Sequence, residues 1–172
     1  LLSFPRIRRI LREVDEVHAL DGYPFAMIAW ICGLGLKKPL VITVVGSVSI
    51  IPLYKTFLSY FMKRIYRSAT RVVAISSFTK KEIEKMVPGI SLEVITLGVD
   101  FERFQTAGSS QFPHPYVLSV GSLRWRKGYK FSIEVFRQIS ESFPELHYVI
   151  VGKIYAEKEY RKLQALTLSL GL

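Results

Sequence analysis

The sequence predicts an α/β protein made of two open, doubly wound parallel units, both incomplete in this chain. Three observations lead there. Six short runs rich in β-branched residues recur along the 172 residues. Longer amphipathic runs separate them. One aperiodic stretch, "GVDFERFQTAGSSQFPHP", interrupts the alternation and concentrates Gly, Ser, Pro and Gln, as linkers between domains do. The expected division is residues 1–98 as a first unit, 99–115 as linker, and 116–172 as the start of a second.

Strands are expected at 16–20, 40–45, 71–76, 92–97, 116–120 and 147–151. Runs such as "PLVITVV" and "HYVIVG" are continuously apolar, which suits parallel strands covered on both faces. Helices are expected at 24–34, 53–68, 78–86, 128–143 and 157–170. Pro24 suits the first position of its helix, where a missing N–H costs nothing. Ser77 is placed to cap "FTKKEIEKM", and Pro88-Gly89 ends it. Val135, Phe136, Ile139 and Phe143 form one apolar stripe, which Pro144 terminates. Gly171 can close the last helix as a left-handed cap. With only two strands after the linker, the chain looks cut at its C-terminus. Its start, "LLSFPRIRR", carries no signal-peptide pattern and reads as processed or truncated.

Composition narrows the partners. The formal net charge of +10 favours acidic ones: nucleic acid, anionic lipid or phosphorylated small molecules. Cys32 is the only cysteine, so no intrachain disulfide forms and a reducing compartment is the easier reading. His18, His114 and His147 lie far apart in sequence and make no metal-ligand pair with Cys32. "FAMIAWICGLGL" is too short to span a bilayer, which takes ~20 residues. Residues 40–62 are long enough, and an integral membrane protein rests on them alone. Gly46, Pro52 and Lys55 interrupt that stretch, which reads better as strand, loop and helix.

The stretch "VLSVGSLRWRKGYKFSIEVF" holds the most chemistry. A buried strand stops at Gly121, and Arg124, Arg126 and Lys127 follow before Gly128 opens a helix. A strand end and a helix start converge on backbone donors, which makes an anion site; a solvated basic loop is the plain alternative.

Four segments in order resemble the family 4 glycosyltransferases, retaining enzymes of the GT-B fold with two Rossmann-like units. They are "VHALDGYPFAMIAWICGLGLKKPLVITVVGS", "SATRVVAISSFTKKEIEKM", "VITLGVDFERF" and "VGSLRWRKGYKFSIEVFRQISESFPELHYVIVGK". The resemblance covers nearly the whole chain as a central fragment, a glycosyltransferase piece expected to be inactive by itself. It implies that the second unit binds a nucleotide-sugar donor and the first faces the acceptor. Gly121 and Ser122 would approach the donor phosphates. Arg126 and Lys127 match the family's basic pair, which neutralises the departing nucleoside diphosphate. Ser122 stands where an arginine is common. Arg124 matches no family position, and Trp125 is expected to pack against the linker. On the acceptor side the resemblance points to Asp21, Gly22, Gly46 and Ser76, with Lys80 beside Ser76. A plain Asp-Gly turn, a strand-end turn and helix capping explain the same residues without function. Val45 stands where the family often has a histidine, which puts activity in doubt and leaves an inactive remnant or binding module as the rival. The family's paired glutamates fall beyond residue 172; Glu141, Glu145, Glu157 and Glu159 read as solvated charges.

The implied partners are a nucleotide-sugar, a carbohydrate or lipid-linked acceptor, and an anionic membrane surface met by "FPRIRRILR" and "KRIYR". No nucleic acid, metal or further cofactor is expected. The expected setting is cytoplasmic, with the inner membrane face as a docking surface.

Overall fold

A computed structural model describes residues 3–105 and 112–172. It divides into two units, residues 1–101 and 102–172, each with its own parallel sheet.

The first unit opens with α1 (Phe4–Glu13) and β1 (Val17–Leu20), followed by a five-residue turn, Gly22–Ala26, and α2 (Met27–Gly33). Next come β2 (Leu40–Val44), the short α3 (Ser47–Ile50), a 3-10 turn (Ile51–Tyr54) and α4 (Thr56–Ser68). β3 (Arg71–Ala74), α5 (Ser77–Met86) and β4 (Leu92–Val94) complete it. The strands lie in the order β1-β2-β3-β4, all parallel. Sequential order with right-handed crossovers sets the connecting helices on one face of the sheet. In register across it, Ala19, Ile42, Val72 and Leu92 are buried. They pack with Ala26, Met62, Ile65, Tyr66, Ile83 and Val87 from the crossovers and helices. Burying such side chains contributes about 1.5–3 kcal/mol each for the larger ones.

This topology corrects one expectation. The strands are not equally covered on both faces: Leu40, Ile42 and Val44 are buried while Val41 and Thr43 between them are half-buried, because the crossovers pack on one side.

Three further expectations change locally. Pro24 follows a cis peptide bond inside the Gly22–Ala26 turn, and the regular helix begins only at Met27. Ser76, not Ser77, caps α5: its hydroxyl accepts from the Thr79 N–H at 3.2 Å, and Ser77 is already the first helical residue. The linker is not wholly irregular, since Phe101–Gln105 forms a short helix, α6; residues 106–111 of the expected linker lie outside the described residues.

The second unit holds β5 (Tyr116–Val120), a 3-10 turn (Trp125–Lys127), α7 (Tyr129–Ser142), β6 (His147–Val151) and α8 (Glu157–Ser169). β5 and β6 pair in parallel. The core is small: Leu123, Tyr129, Ile133 and Leu163 with Tyr148, Ile150 and Tyr160 packed on it. On α7 the buried line runs through Tyr129, Ile133 and Phe136, while Ile139 and Phe143 are exposed. The expected stripe is therefore rotated: Tyr129 and Ile133 join Phe136 on the buried line, and Ile139 and Phe143 fall outside it. Gly171 (φ 68°) follows α8 in the left-handed region, and the Leu172 N–H reaches back to the Thr167 carbonyl at 3.1 Å. His114 and His147, distant in sequence, stack with ring centroids 4.8 Å apart.

Candidate functional site

In the second unit the loop after β5 is tied to β6. Gly121 N–H donates to the Val151 carbonyl at 2.8 Å and Leu123 N–H to that of Lys153 at 2.9 Å. A Cβ at Gly152 would overlap the Gly121 carbonyl, so the two strand ends meet backbone to backbone. The Tyr129 hydroxyl donates to the Gly121 carbonyl at 2.7 Å, and desolvation pushes that phenol's pKa up. Tyr129 thus fixes the strand end from the first turn of α7.

Lys127 folds back toward the same point: its Cε lies 3.5 Å from where a Cβ on Gly121 would sit. Arg126 and Lys127 are exposed, and among the described residues neither makes an ion pair. Gly128 (φ 73°) precedes α7 with no side-chain cap. A left-handed residue there turns the chain into the helix without strain only when it is glycine, and the first-turn N–H groups stay open to an anion. Gly121, Lys127 and an uncapped helix start therefore gather at one strand end; Ser122 is half-buried beside them.

Arg124 behaves differently. Its guanidinium sits 3.4 Å over the Tyr155 ring, its Nε is buried without a hydrogen-bond partner, and it braces the loop rather than joining the cations. Trp125 is 83% exposed, so among the described residues it is not packed away as expected.

In the first unit, Asp21, Gly46 and Ser76 follow the ends of adjacent parallel strands β1, β2 and β3, the edge where open α/β sheets bind ligands. Asp21 holds φ 95°, an uncommon conformation for a residue with a Cβ. Its Oδ1 accepts from the Gly22 N–H at 2.8 Å and closely from the Ser49 hydroxyl. The Gly22 N–H is shared with Ser49 Oγ at 3.0 Å, and the Tyr66 hydroxyl donates to the Ser49 carbonyl at 3.0 Å. Burial raises the Tyr66 pKa far above its ordinary value. Gly22 is required because a Cβ there would run into the Tyr66 hydroxyl. Gly46 has φ 132° and its carbonyl receives the Ser49 N–H at 2.9 Å. The Ser76 hydroxyl is occupied in capping, and Lys80 pairs with Glu84 at 3.5 Å, so this pair serves α5. Val45 is exposed at the end of β2.

Sequence reading missed Ser49, Tyr66 and Tyr129. Ser49 is a hydroxyl in the mainly apolar run "VGSVSII", the one signal that could have drawn attention to it; Tyr66 and Tyr129 stand among cations in "KRIYRS" and "KGYKF" and carry no such signal.

Comparison with known proteins assigns the two α/β units to the GT-B glycosyltransferase fold. The family model for Glycosyltransferase Family 4 matches residues 1–103, and that for Glycosyl transferases group 1 matches residues 101–172. The chain belongs to glycosyltransferase family 4. No curated protein sequence matches it. Among solved structures, the chain is similar to Anabaena HepE, crystallised in complex with UDP-glucose, with TM-score 0.73 and 17% identity. The match covers 98% of this chain and 49% of HepE, so the chain spans about half the length of that relative. No helix among the described residues is long and apolar enough to cross a membrane; residues 40–62 instead supply β2, α3, the 3-10 turn and the start of α4.

Proposed function

We propose that the protein transfers a sugar from a nucleotide-sugar to an acceptor hydroxyl, with retention and without a divalent metal. The observation that carries this reading is the Lys127 side chain folded toward Gly121 beside the open start of α7. In this reading residues 116–172 receive the donor. Backbone N–H groups of α7 and the Gly121–Ser122 segment hold the diphosphate, while Lys127 and Arg126 stabilise the charge that grows on it as the glycosidic bond breaks. The sugar passes through an oxocarbenium-like state. Residues 1–98 present the acceptor, a carbohydrate or a lipid-linked one, along the strand ends that carry Asp21, Gly22 and Gly46, with Ser76 in a supporting role. The single free cysteine, Cys32, buried in α2, supports a cytoplasmic setting.

Val45 favours a second reading, a family fold that binds without turning over, because an aliphatic side chain at this strand end supplies no hydrogen bond. Both readings need the diphosphate site, and only the first predicts turnover.

Calorimetric titration with a panel of nucleoside diphosphates in EDTA tests the site. Lys127→Ala is expected to weaken the best binder by about 1.5–3 kcal/mol, the range for a charge-assisted contact. Equal affinity for the two proteins would return the loop to a solvated turn. Release of free sugar or glycoside from the matching nucleotide-sugar then separates enzyme from remnant.

A further inference from the structure

We propose that Tyr155, with Arg124 behind it, is the platform on which the base of a nucleoside diphosphate stacks in the second unit. This platform rests on the diphosphate site read above and adds the contact that would tell a nucleotide from a bare phosphate anion. Both residues stand just past the last rung of the β5–β6 ladder. Beyond the strands the two segments stay together: the Gly121 N–H reaches the Val151 carbonyl, and Leu123 and Ile154 form one more parallel bridge. Arg124 and Tyr155 are the next residue on each segment. They lie at the C-terminal edge of the sheet, where open α/β folds hold ligands. Three residues separate Arg124 from Gly121, at most about 10 Å of extended chain. A phosphate held at Gly121 and Lys127 therefore leaves its ribose and base within reach of the pair.

The contact between them leaves one surface open. The Arg124 guanidinium lies 3.4 Å over the Tyr155 ring and covers one of its faces. Tyr155 is nevertheless 63% exposed, so the opposite face is in water. Among the described residues no carboxylate pairs with Arg124, and its Nε is buried without a hydrogen-bond partner. Packing on the ring, rather than a polar partner at Nε, sets the guanidinium. The pair thus fixes the plane of an exposed ring and keeps a positive charge beside it. A planar group carried on an anion meets both features.

The loop offers little else to a nucleotide. In dinucleotide-binding α/β folds a carboxylate beyond the phosphate loop hydrogen-bonds the ribose. Residues 152–156, "GKIYA", join β6 to α8 and contain no carboxylate. What they present at the strand end is a lysine and the Tyr155 ring. Every nucleobase has a π-face, so an exposed ring of fixed plane holds a base by stacking without reading its hydrogen-bonding edge.

The test is calorimetric titration of the purified protein in EDTA with pyrophosphate and with the diphosphates of uridine and guanosine. The nucleotides are expected to bind roughly five- to a hundredfold more tightly than pyrophosphate, the factor that one base stacked on an aromatic side chain contributes. Tyr155→Ala, at an exposed position, should remove that margin and leave pyrophosphate affinity as it was. Tyr155→Phe keeps the ring and should keep the margin. Arg124→Gln frees the ring to turn; it should narrow the margin severalfold and likewise spare pyrophosphate. Lys127→Ala should weaken all three ligands alike. If none of the three binds, the diphosphate site and the platform both fall. If pyrophosphate binds and the nucleotides gain nothing over it, or if Tyr155→Ala keeps the margin, the platform alone is overturned.

Discussion

Replacing Gly22 with alanine probes the packing beneath Asp21. The added methyl would meet the Tyr66 hydroxyl head-on and lie 3.1 Å from the Ser49 Cα. Tyr66 is 1% exposed and cannot swing away. Overpacking of this kind costs about 1–3 kcal/mol. Tyr66→Phe has its own cost, because the Ser49 carbonyl loses the bond it accepts at 3.0 Å in a buried place; about 1–3 kcal/mol is expected. The two effects should not add. Removing the hydroxyl removes the atom that the new methyl strikes, so the double variant should be less destabilised than the sum by at least about 1 kcal/mol, well outside the usual additivity error of about 0.5 kcal/mol. It should still fall below the parent, since the Ser49 backbone contact persists. For a unit of roughly 100 residues, each kcal/mol corresponds to about 4–8 °C in Tm. Urea and thermal unfolding of the four proteins, followed by circular dichroism, measure the cycle. Additive losses would refute the claim that Gly22 is held small by Tyr66.

Ser76→Ala should cost about 1 kcal/mol through loss of the α5 cap, and Ser77→Ala only a few tenths, as read by urea midpoints. At high pH, Tyr66 and Tyr129 both have folded pKa values raised by burial. The folded state keeps their protons where the unfolded chain loses them, so stability should be flat below about pH 10 and fall above it. Tyr66→Phe should remove much of that slope in denaturation curves taken at increasing pH. Lys127→Ala, in the calorimetric experiment above, should leave thermal stability unchanged, because its cation has no ion-pair partner among the described residues.

The strands were legible because period and composition agree there. All six expected strands are present, shortened at their C-terminal ends in β2, β3 and β4. Coverage of those strands was not legible. "PLVITVV" is apolar at every position but Thr43, yet only alternate side chains reach the core, because burial depends on which face the crossovers pack against. Ser76 and Ser77 show the limit at the scale of one residue. Either can accept from an N–H three residues on, and only the backbone angle at Ser76, φ −154° and ψ 155°, decides which lies outside the helix.

The sites divide along the same line. Lys127 beside Gly121 could be anticipated because the contact spans six residues of one loop, so local sequence constrains it. The Asp21 network could not: Ser49 and Tyr66 arrive from 28 and, through Ser49, a further 17 positions away, and nothing in "DGYP" announces them. The same reasoning applies to charge. The excess of cations was plain from composition, but composition is indifferent to place. Folding sends Lys127 and Arg126 to a strand end in the second unit, and Lys63, Arg64 and Arg67 to the far edge of the sheet in the first. One net charge thereby becomes two positive surfaces, and each can be neutralised by substitution without touching the other.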